Sequence, residues 1–145
     1  MKSVKESISL PVDPNKALNM FLDLKEMRNW WGVERGFIDP KPGGCWTVAW
    51  EISEKGFGYV STGVIKEIQL GKNIVIENLV YLNPAKSILG PMTLDIKVEE
   101  AKENTILTVE QSGYGEGDDW FWYYNAVVEG WPHALKLLHN HCLAK

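Results

Sequence analysis

One long helical pattern and a series of alternating strands divide the chain into two kinds of segment. From Asp118 to Lys145 the apolar residues recur in steps of four and three, which predicts one amphipathic helix of roughly 25 residues. Gly117 precedes it, and we expect the carboxylates of Asp118 and Asp119 to cap its free backbone N–H groups. Pro132 lies inside the pattern and lacks a backbone donor, so a kink or short break is expected there.

The segment before this helix alternates between apolar and polar residues, which predicts strands. Lys2–Leu10 forms the first strand, and Asp13 then caps the first of two short helices, which end near Gly32. Gly36–Ser112 alternates with short turns and predicts about six antiparallel strands. The longest irregular connection in that region is the loop Asn83–Pro91.

This order of elements predicts an α+β fold. A meander of six or seven antiparallel strands twists strongly enough to curl around a helix laid across its concave face. We therefore expect a helix-grip, in which a curved antiparallel sheet wraps around the long C-terminal helix and two short helices follow the first strand. Because the connections are short and no linker interrupts them, residues 1–145 are predicted to form a single domain.

Composition and charge argue against several classes of function. The 145 residues carry a net charge of −4 with dispersed lysines, so no nucleic-acid surface is expected. No apolar run approaches the roughly 18 residues that span a bilayer, and no signal-peptide pattern follows Met1. We expect a cytoplasmic protein without membrane insertion, in which Cys45 and Cys142 are free thiols.

The seven tryptophans are the unusual feature of the composition, and they predict either a filled core or a ligand pocket. Strand faces and the helix stripe converge on five candidate pocket residues, in keeping with the mostly apolar lining of ligand cavities. A buried amide such as that of Asn78 costs about 1–3 kcal/mol when unpaired, and either a polar ligand atom or an internal hydrogen bond would relieve this cost. The five candidates are Trp46, Trp50, Asn78, Tyr124 and Trp131.

The sequence predicts neither catalytic residues nor a metal site. His139 and His141 point about 200° apart on a helix, so they do not close a zinc site. Strand alternation places Glu51 and Glu77 on solvated faces and leaves Glu110 ambiguous as an inward acid or base. No nucleophile motif, phosphate loop or dinucleotide fingerprint occurs, so no cofactor is predicted.

Several short motifs, in order along nearly the whole chain, resemble those of a known family. Trp30-Trp31 follows the two short helices, Pro42-Gly43-Gly44 precedes the first long strand, and Gly130-Trp131 lies in the long helix. Two further segments match, Gly63–Ile68 and Thr105–Val109. Together they resemble the START-like superfamily of polyketide cyclases and lipid-transfer proteins, and within it the activator of heat-shock protein 90 ATPase homologue-like family.

The resemblance implies the helix-grip fold and a cavity between sheet and helix that holds a small apolar molecule in many relatives. The predicted function is therefore binding of a small apolar or amphipathic, lipid-like ligand, with the Asn83–Pro91 loop and a kink at Pro132 controlling entry. Because a fold does not fix one reaction, a cyclase-like or hydrolytic enzyme and a chaperone-interaction module remain alternatives, as does a homodimer. Pro132 and Asn78 depart from the family pattern and would change the shape of the pocket.

Overall fold

Residues 2–144, which the computed structural model of the protein describes, form seven strands and three helices. The strands are β1 (Ser3–Leu10), β2 (Arg35–Ile38), β3 (Cys45–Trp50), β4 (Tyr59–Gln69), β5 (Asn73–Leu82), β6 (Leu89–Ala101) and β7 (Asn104–Ser112). The helices are α1 (Pro14–Asn19), α2 (Leu24–Trp31) and α3 (Asp118–Leu143). The strands make one antiparallel sheet in the order β1-β7-β6-β5-β4-β3-β2, curved around α3. The predicted helix-grip is confirmed.

The two short helices begin and end at the residues that sequence patterns favour. The Asp13 carboxylate accepts a hydrogen bond from the Lys16 backbone N–H at 2.9 Å and caps α1. Asp23 caps α2 in the same way, and Gly32 ends α2 with a φ of 77°, a left-handed conformation that favours glycine. This stop places the last residue of α2, Trp31, against the sheet and α3.

Alternation along the strands sorts the side chains between the two faces of the sheet. On β7, Leu107 and Val109 are fully buried on the concave face, whereas Thr108 faces outward and its hydroxyl lies 2.8 Å from that of Ser7. The concave face is covered by one stripe of α3, and burial of these apolar surfaces stabilises the fold. The buried residues of this stripe are Tyr123, Val127, Trp131, Ala134, Leu135, Leu138 and Cys142.

Helix α3 differs from the sequence prediction at its start and in its middle. Gly117 is the N-cap residue and no side chain caps the helix, because the Asp119 carboxylate instead accepts hydrogen bonds from Ser87. The helix is continuous through Pro132, so a break there was wrong, and the alternative of a kink stays a prediction. Proline removes one hydrogen bond of the helix, and the buried residues on both sides of it hold the helix on the sheet. The predicted end at Lys145 lies outside the described residues.

A bulge in β5 reverses the predicted faces of its second half. Ile74 and Ile76 are buried on the concave face as expected, but the pairing with β6 shifts register between Ile76 and Leu79. Asn78 lies in this irregularity with a φ of 51° and is exposed. The inserted residue moves the next inward positions to Leu79 and Tyr81, so the prediction that Asn78 shares a face with Ile76 was wrong.

The connection between β5 and β6 is shorter than predicted. Strand β6 begins at Leu89, which pairs with Tyr81, so Gly90 and Pro91 belong to the strand and only residues 83–88 remain outside it. A register shift between Leu79 and Tyr81 accommodates this part of the pairing, as is usual where proline occurs within a sheet. The predicted Asn83–Pro91 loop was therefore too long by three residues.

The left-handed conformation of Asn78 generates a prediction about stability. Asparagine and glycine tolerate this conformation, whereas alanine is penalised in it. We expect Asn78→Ala to lower the free energy of unfolding by about 1 kcal/mol, and Asn78→Gly to leave it nearly unchanged. Urea denaturation of the two variants checks this, and equal stability of both would contradict the assigned bulge.

Candidate functional site

A cavity of about 710 Å³ lies between the concave face of the sheet and α3. Its size falls in the range of about 300–1,000 Å³ that is typical of small-molecule sites. Its floor is made by buried, uncharged side chains, and its mouth by exposed ones that include Glu51 and His133. The floor residues are Trp46, Leu79, Leu94, Gln111, Tyr123, Trp131 and Ala134.

The five predicted pocket residues fall into two groups. Trp46, Trp50 and Trp131 line the cavity, whereas Asn78 and Tyr124 do not. The bulge in β5 turns Asn78 away from the concave face. On α3 the neighbouring Tyr123 takes the inward position, and the Tyr124 ring lies beside the cavity against the ring of Tyr114, with 5.0 Å between ring centroids.

A continuous series of aromatic rings forms one wall of the cavity. Trp31 makes an edge-to-face contact with Trp50, and Trp50 stacks on Tyr59 with 5.0 Å between centroids. Tyr59 then contacts Tyr81, and Tyr81 contacts Tyr123 at 4.5 Å between centroids. Each such pair adds about 0.5–1.5 kcal/mol beyond its buried area, so the rings support one another as a wall.

Hydrogen bonds from the indole groups to backbone carbonyls hold two of the tryptophans that line the cavity. The Trp46 indole N–H donates to the Phe21 carbonyl at 2.8 Å, and the Trp50 indole N–H donates to the Trp31 carbonyl at 3.2 Å. Both acceptors come from the helical segment between β1 and β2. The two short helices therefore determine where the aromatic side chains of β3 lie.

A row of small residues on α3 also lines the cavity, beside the larger Tyr123 and Trp131 of the same helix. Ala126, Gly130 and Ala134 all line the cavity and follow one another at four-residue spacing, so they lie on one face of the helix. A Cβ atom added at Gly130 would meet no atom within 4 Å. The helix therefore leaves space along this row of small residues, next to its larger lining side chains.

Gln111 is the polar centre of the floor, and the sequence reasoning did not select it. Its amide nitrogen donates to the Tyr123 hydroxyl at 2.8 Å and to the Met92 sulfur at 3.4 Å. Its amide oxygen accepts from the Trp131 indole N–H at 2.9 Å. The signal was present, since Gln111 continues the inward alternation of Leu107 and Val109 on β7.

Burial keeps the tyrosine hydroxyls of the cavity protonated. Desolvation raises the pKa of Tyr123, opposed in part by the hydrogen bond from Gln111. It also raises the pKa of Tyr59 and Tyr81, and the negative charge of nearby Glu51 adds to the rise of both pKa values. All three therefore remain neutral hydrogen-bonding groups at physiological pH.

The alternation of the strands predicted the exposure of Glu51 but left the position of Glu110 open. Glu51 is exposed, as expected, but a φ of 56° at the end of β3 places it among the residues of the cavity mouth. Glu110, which the sequence left ambiguous, pairs in register with Lys5 and Asp95 and lies with them on the convex face, away from the cavity. Within residues 2–144, no three His, Cys, Asp or Glu side chains are grouped so that they could hold a metal ion.

The β5–β6 connection is fastened to the start of α3 beside the mouth. The Asp119 carboxylate accepts from both the backbone N–H and the hydroxyl of Ser87, each at 2.8 Å. The Lys86 ammonium lies 4.0 Å from the same carboxylate and 4.4 Å from the centroid of the Trp122 ring. These contacts position Trp122, which lines the mouth.

A seven-stranded sheet curved around a long helix, with an aromatic cavity between the two, defines a START-like helix-grip protein. The chain belongs to the Activator of Hsp90 ATPase homolog 1-like protein family, whose sequence profile matches residues 11–142. The resemblance seen in the sequence is thereby confirmed. A comparison with curated protein sequences found no match. Among residues 2–144, no helix has the length and apolar character needed to cross a bilayer.

Solved structures of similar proteins share the fold at low sequence identity. The Mll3558 protein from Rhizobium loti is 16% identical with a TM-score of 0.78, covering 97% of this chain and 96% of that one. The Aha1 dimer from Colwellia psychrerythraea is 13% identical with a TM-score of 0.71, covering 97% and 95%. PFC0360w, an HSP90 activator from Plasmodium falciparum, is 16% identical with a TM-score of 0.66, covering 95% and 96%. At these identities the likeness establishes the fold alone.

The hydrogen bond between Trp131 and Gln111 can be measured by a double-mutant cycle. Trp131→Phe leaves the Gln111 amide oxygen without its partner, and Gln111→Met leaves both the Trp131 N–H and the Tyr123 hydroxyl without theirs. Each substitution should lower the free energy of unfolding by at least about 1–3 kcal/mol. We expect the loss of unfolding free energy in the double variant to be about 1 kcal/mol smaller than the sum of the two single losses. Urea denaturation of the four proteins checks this, and additive losses would contradict the contact.

The contact between Asp119 and Ser87 predicts a pH dependence. The hydrogen bonds from Ser87, aided by Lys86, lower the pKa of Asp119 below its ordinary value of 3.8. Because the pKa is lowered in the folded state, the contribution of this contact is present above pH 3.8 and is lost as pH falls through the lowered pKa.

Proton NMR provides the measurement. We expect the resonance of the Ser87 backbone amide to titrate with a midpoint below pH 3.8. In Asp119→Asn the same resonance should show no such titration. A midpoint at or above the ordinary value in the unmodified protein would contradict the contact.

Proposed function

We propose that the protein binds a small apolar or amphipathic molecule in the cavity between the sheet and α3. The observation that carries this proposal is the cavity itself, about 710 Å³ with an aromatic wall, in a chain rich enough in tryptophan to have filled it. Hydrogen bonds keep the rings of Trp46, Trp50 and Trp131 at its boundary. A site of this kind gains affinity chiefly from burial of apolar ligand surface.

The shape of the lining favours a flat ligand body. Faces and edges of aromatic rings from the sheet and from the helices line the space, and such surfaces attract other unsaturated rings by offset stacking and edge-to-face contact. Polar groups occur at two separate levels, Gln111 at the floor and Glu51, Asn83 and His133 at the mouth. An amphipathic molecule with an apolar middle matches this distribution.

Contact with a chaperone is a second candidate function, which family membership favours. The structure adds two strongly exposed apolar side chains, Ile88 at 73% and Phe121 at 68%, on the two segments that Ser87 and Asp119 join. Exposed apolar side chains of this size suit a protein contact. The same residues would suit a homodimer, and the Colwellia Aha1 protein is a dimer.

Purified Hsp90 from the same host tests the chaperone candidate. Binding measured by calorimetry, together with a change in the rate of ATP hydrolysis by the chaperone, would support it, and both should weaken in Ile88→Ser and Phe121→Ser. Sedimentation of the protein alone separates this outcome from a homodimer. Absence of binding at concentrations of about 100 μM would contradict a chaperone contact.

Native mass spectrometry of protein purified from its own host tests the ligand proposal directly. We expect a one-to-one adduct that organic extraction releases as a small apolar molecule. The same protein stripped of its adduct should bind the neutral fluorescent probe N-phenyl-1-naphthylamine, with an increase in probe emission as it leaves water.

A pair of substitutions on α3 locates the binding. Gly130→Trp places a large ring at the cavity, while Val128→Trp adds comparable bulk at a position that is 41% exposed and does not line it. We expect the first to weaken probe binding at least about tenfold and the second to leave it unchanged. Equal affinities in all three proteins would show that the probe binds elsewhere and contradict the proposal.

A further inference from the structure

The hydrogen bonds at the floor fix the orientation of the Gln111 amide. An indole N–H can only donate, so the group that faces Trp131 must be the amide oxygen of Gln111. The amide nitrogen then faces Tyr123, whose hydroxyl oxygen accepts the hydrogen bond. The hydroxyl hydrogen of Tyr123 is left over, and it has no acceptor among residues 2–144.

A different side-chain amide, that of Asn83, determines the hydrogen bonding of the Tyr81 hydroxyl. The backbone N–H of Ala85 donates to the side-chain oxygen of Asn83 at 2.9 Å, which fixes the orientation of that amide. The Asn83 amide nitrogen therefore donates to the Tyr81 hydroxyl at 3.0 Å. The Tyr81 hydroxyl hydrogen likewise has no acceptor within the part of the chain that the structure describes.

Both hydroxyl groups belong to buried tyrosines of the same cavity wall. Tyr81 is 8% exposed and Tyr123 is 6% exposed, and both line the cavity. An unpaired donor in such surroundings is unfavourable, whereas an amide oxygen with one partner, such as that of Gln111, is adequately paired. The hydroxyl groups of Tyr81 and Tyr123 are therefore available to donate hydrogen bonds to a ligand in the cavity.

The surrounding charges decide which kind of acceptor fits. The floor residues are uncharged, and no cation among them would compensate a buried carboxylate or phosphate. Glu51 lies at the mouth and acts electrostatically on both Tyr59 and Tyr81, so its negative charge further disfavours an anion. A neutral oxygen acceptor, such as a ketone carbonyl, has no such penalty.

We propose that the cavity selects neutral, flat, unsaturated-ring compounds that carry a carbonyl oxygen, which accepts hydrogen bonds from the hydroxyls of Tyr123 and Tyr81. This inference rests on the proposed function, since it names the class of ligand for the same cavity. Selectivity then comes from the two hydroxyl donors, which have no acceptor in the described part of the chain, and most of the affinity comes from contact with the aromatic wall.

Two probes of nearly equal shape test this selectivity. 9-Fluorenone is a neutral tricyclic ketone, and fluorene has the same skeleton with a methylene group in place of the carbonyl. Affinities for both are measured by quenching of tryptophan fluorescence with the unmodified protein, Tyr123→Phe, Tyr81→Phe and the double variant. Tyr124→Phe is the matched control, because Tyr124 is on the same helix but does not line the cavity.

We expect the ratio of fluorenone to fluorene affinity to fall about fivefold in the double variant and to stay unchanged in Tyr124→Phe. Because each variant is compared with itself across two probes, changes in stability cancel from this ratio. Infrared spectroscopy gives a second readout, since hydrogen bonding lowers the carbonyl stretching frequency of bound fluorenone. That lowering should be lost in the double variant.

Failure of this inference is distinguishable from failure of the proposed function. If both probes bind, Gly130→Trp weakens both, and the affinity ratio is the same in all tyrosine variants, the carbonyl selectivity is overturned and the cavity function stands. If neither probe binds the unmodified protein at its solubility limit, the cavity function is overturned and the carbonyl selectivity falls with it.

Discussion

The site depends on one constraint, which is that an indole can donate a hydrogen bond but cannot accept one. Trp131 carries its N–H from α3 into an apolar interior, where an unpaired donor would be unfavourable, and the amide oxygen of Gln111 on β7 is its partner. This contact joins the long helix to the sheet at the floor of the cavity. It also fixes the orientation of the Gln111 amide, whose nitrogen donates to the Tyr123 hydroxyl oxygen. The Tyr123 hydroxyl hydrogen must therefore point away from Gln111.

The two departures from regular secondary structure determine the shape of the same region. The bulge in β5 brings Leu79 and Tyr81 to the concave face and turns Asn78 outward. Pro132 removes a helix hydrogen bond directly after Trp131, yet α3 stays continuous because its buried stripe extends on both sides. Without the bulge, Tyr81 would face the other side of the sheet and the aromatic wall would end at Tyr59.

Local chemistry explains which parts of this structure the sequence could reveal. The caps at Asp13 and Asp23 and the alternation of the strands depend on near neighbours, so element types and order were predictable. Trp46, Trp50 and Trp131 were found because they continue regular patterns, and Gln111 could have been found by the same alternation on β7. Asn78 was misplaced because Ile74, Ile76, Asn78 and Val80 fit an unbroken strand, and only the pairing with β6 reveals the bulge. The role of Asp119 depends on Ser87, which is 32 residues away, so a local capping role was the natural but wrong interpretation.

A cavity in a protein interior is unfavourable, because the atoms around it lose packing partners that a filled core would supply. This chain could carry a larger side chain at the exposed Gly130, because no atom lies within 4 Å of a Cβ placed there. It instead has Ala126, Gly130 and Ala134 along the helix face that lines the space, opposite rings that hydrogen bonds hold at the boundary. The floor adds a second unfavourable element, the Tyr123 hydroxyl donor, which has no acceptor among residues 2–144. A single event, entry of a flat molecule with a neutral acceptor, would relieve both, because it restores contacts with the walls and pairs the hydroxyl.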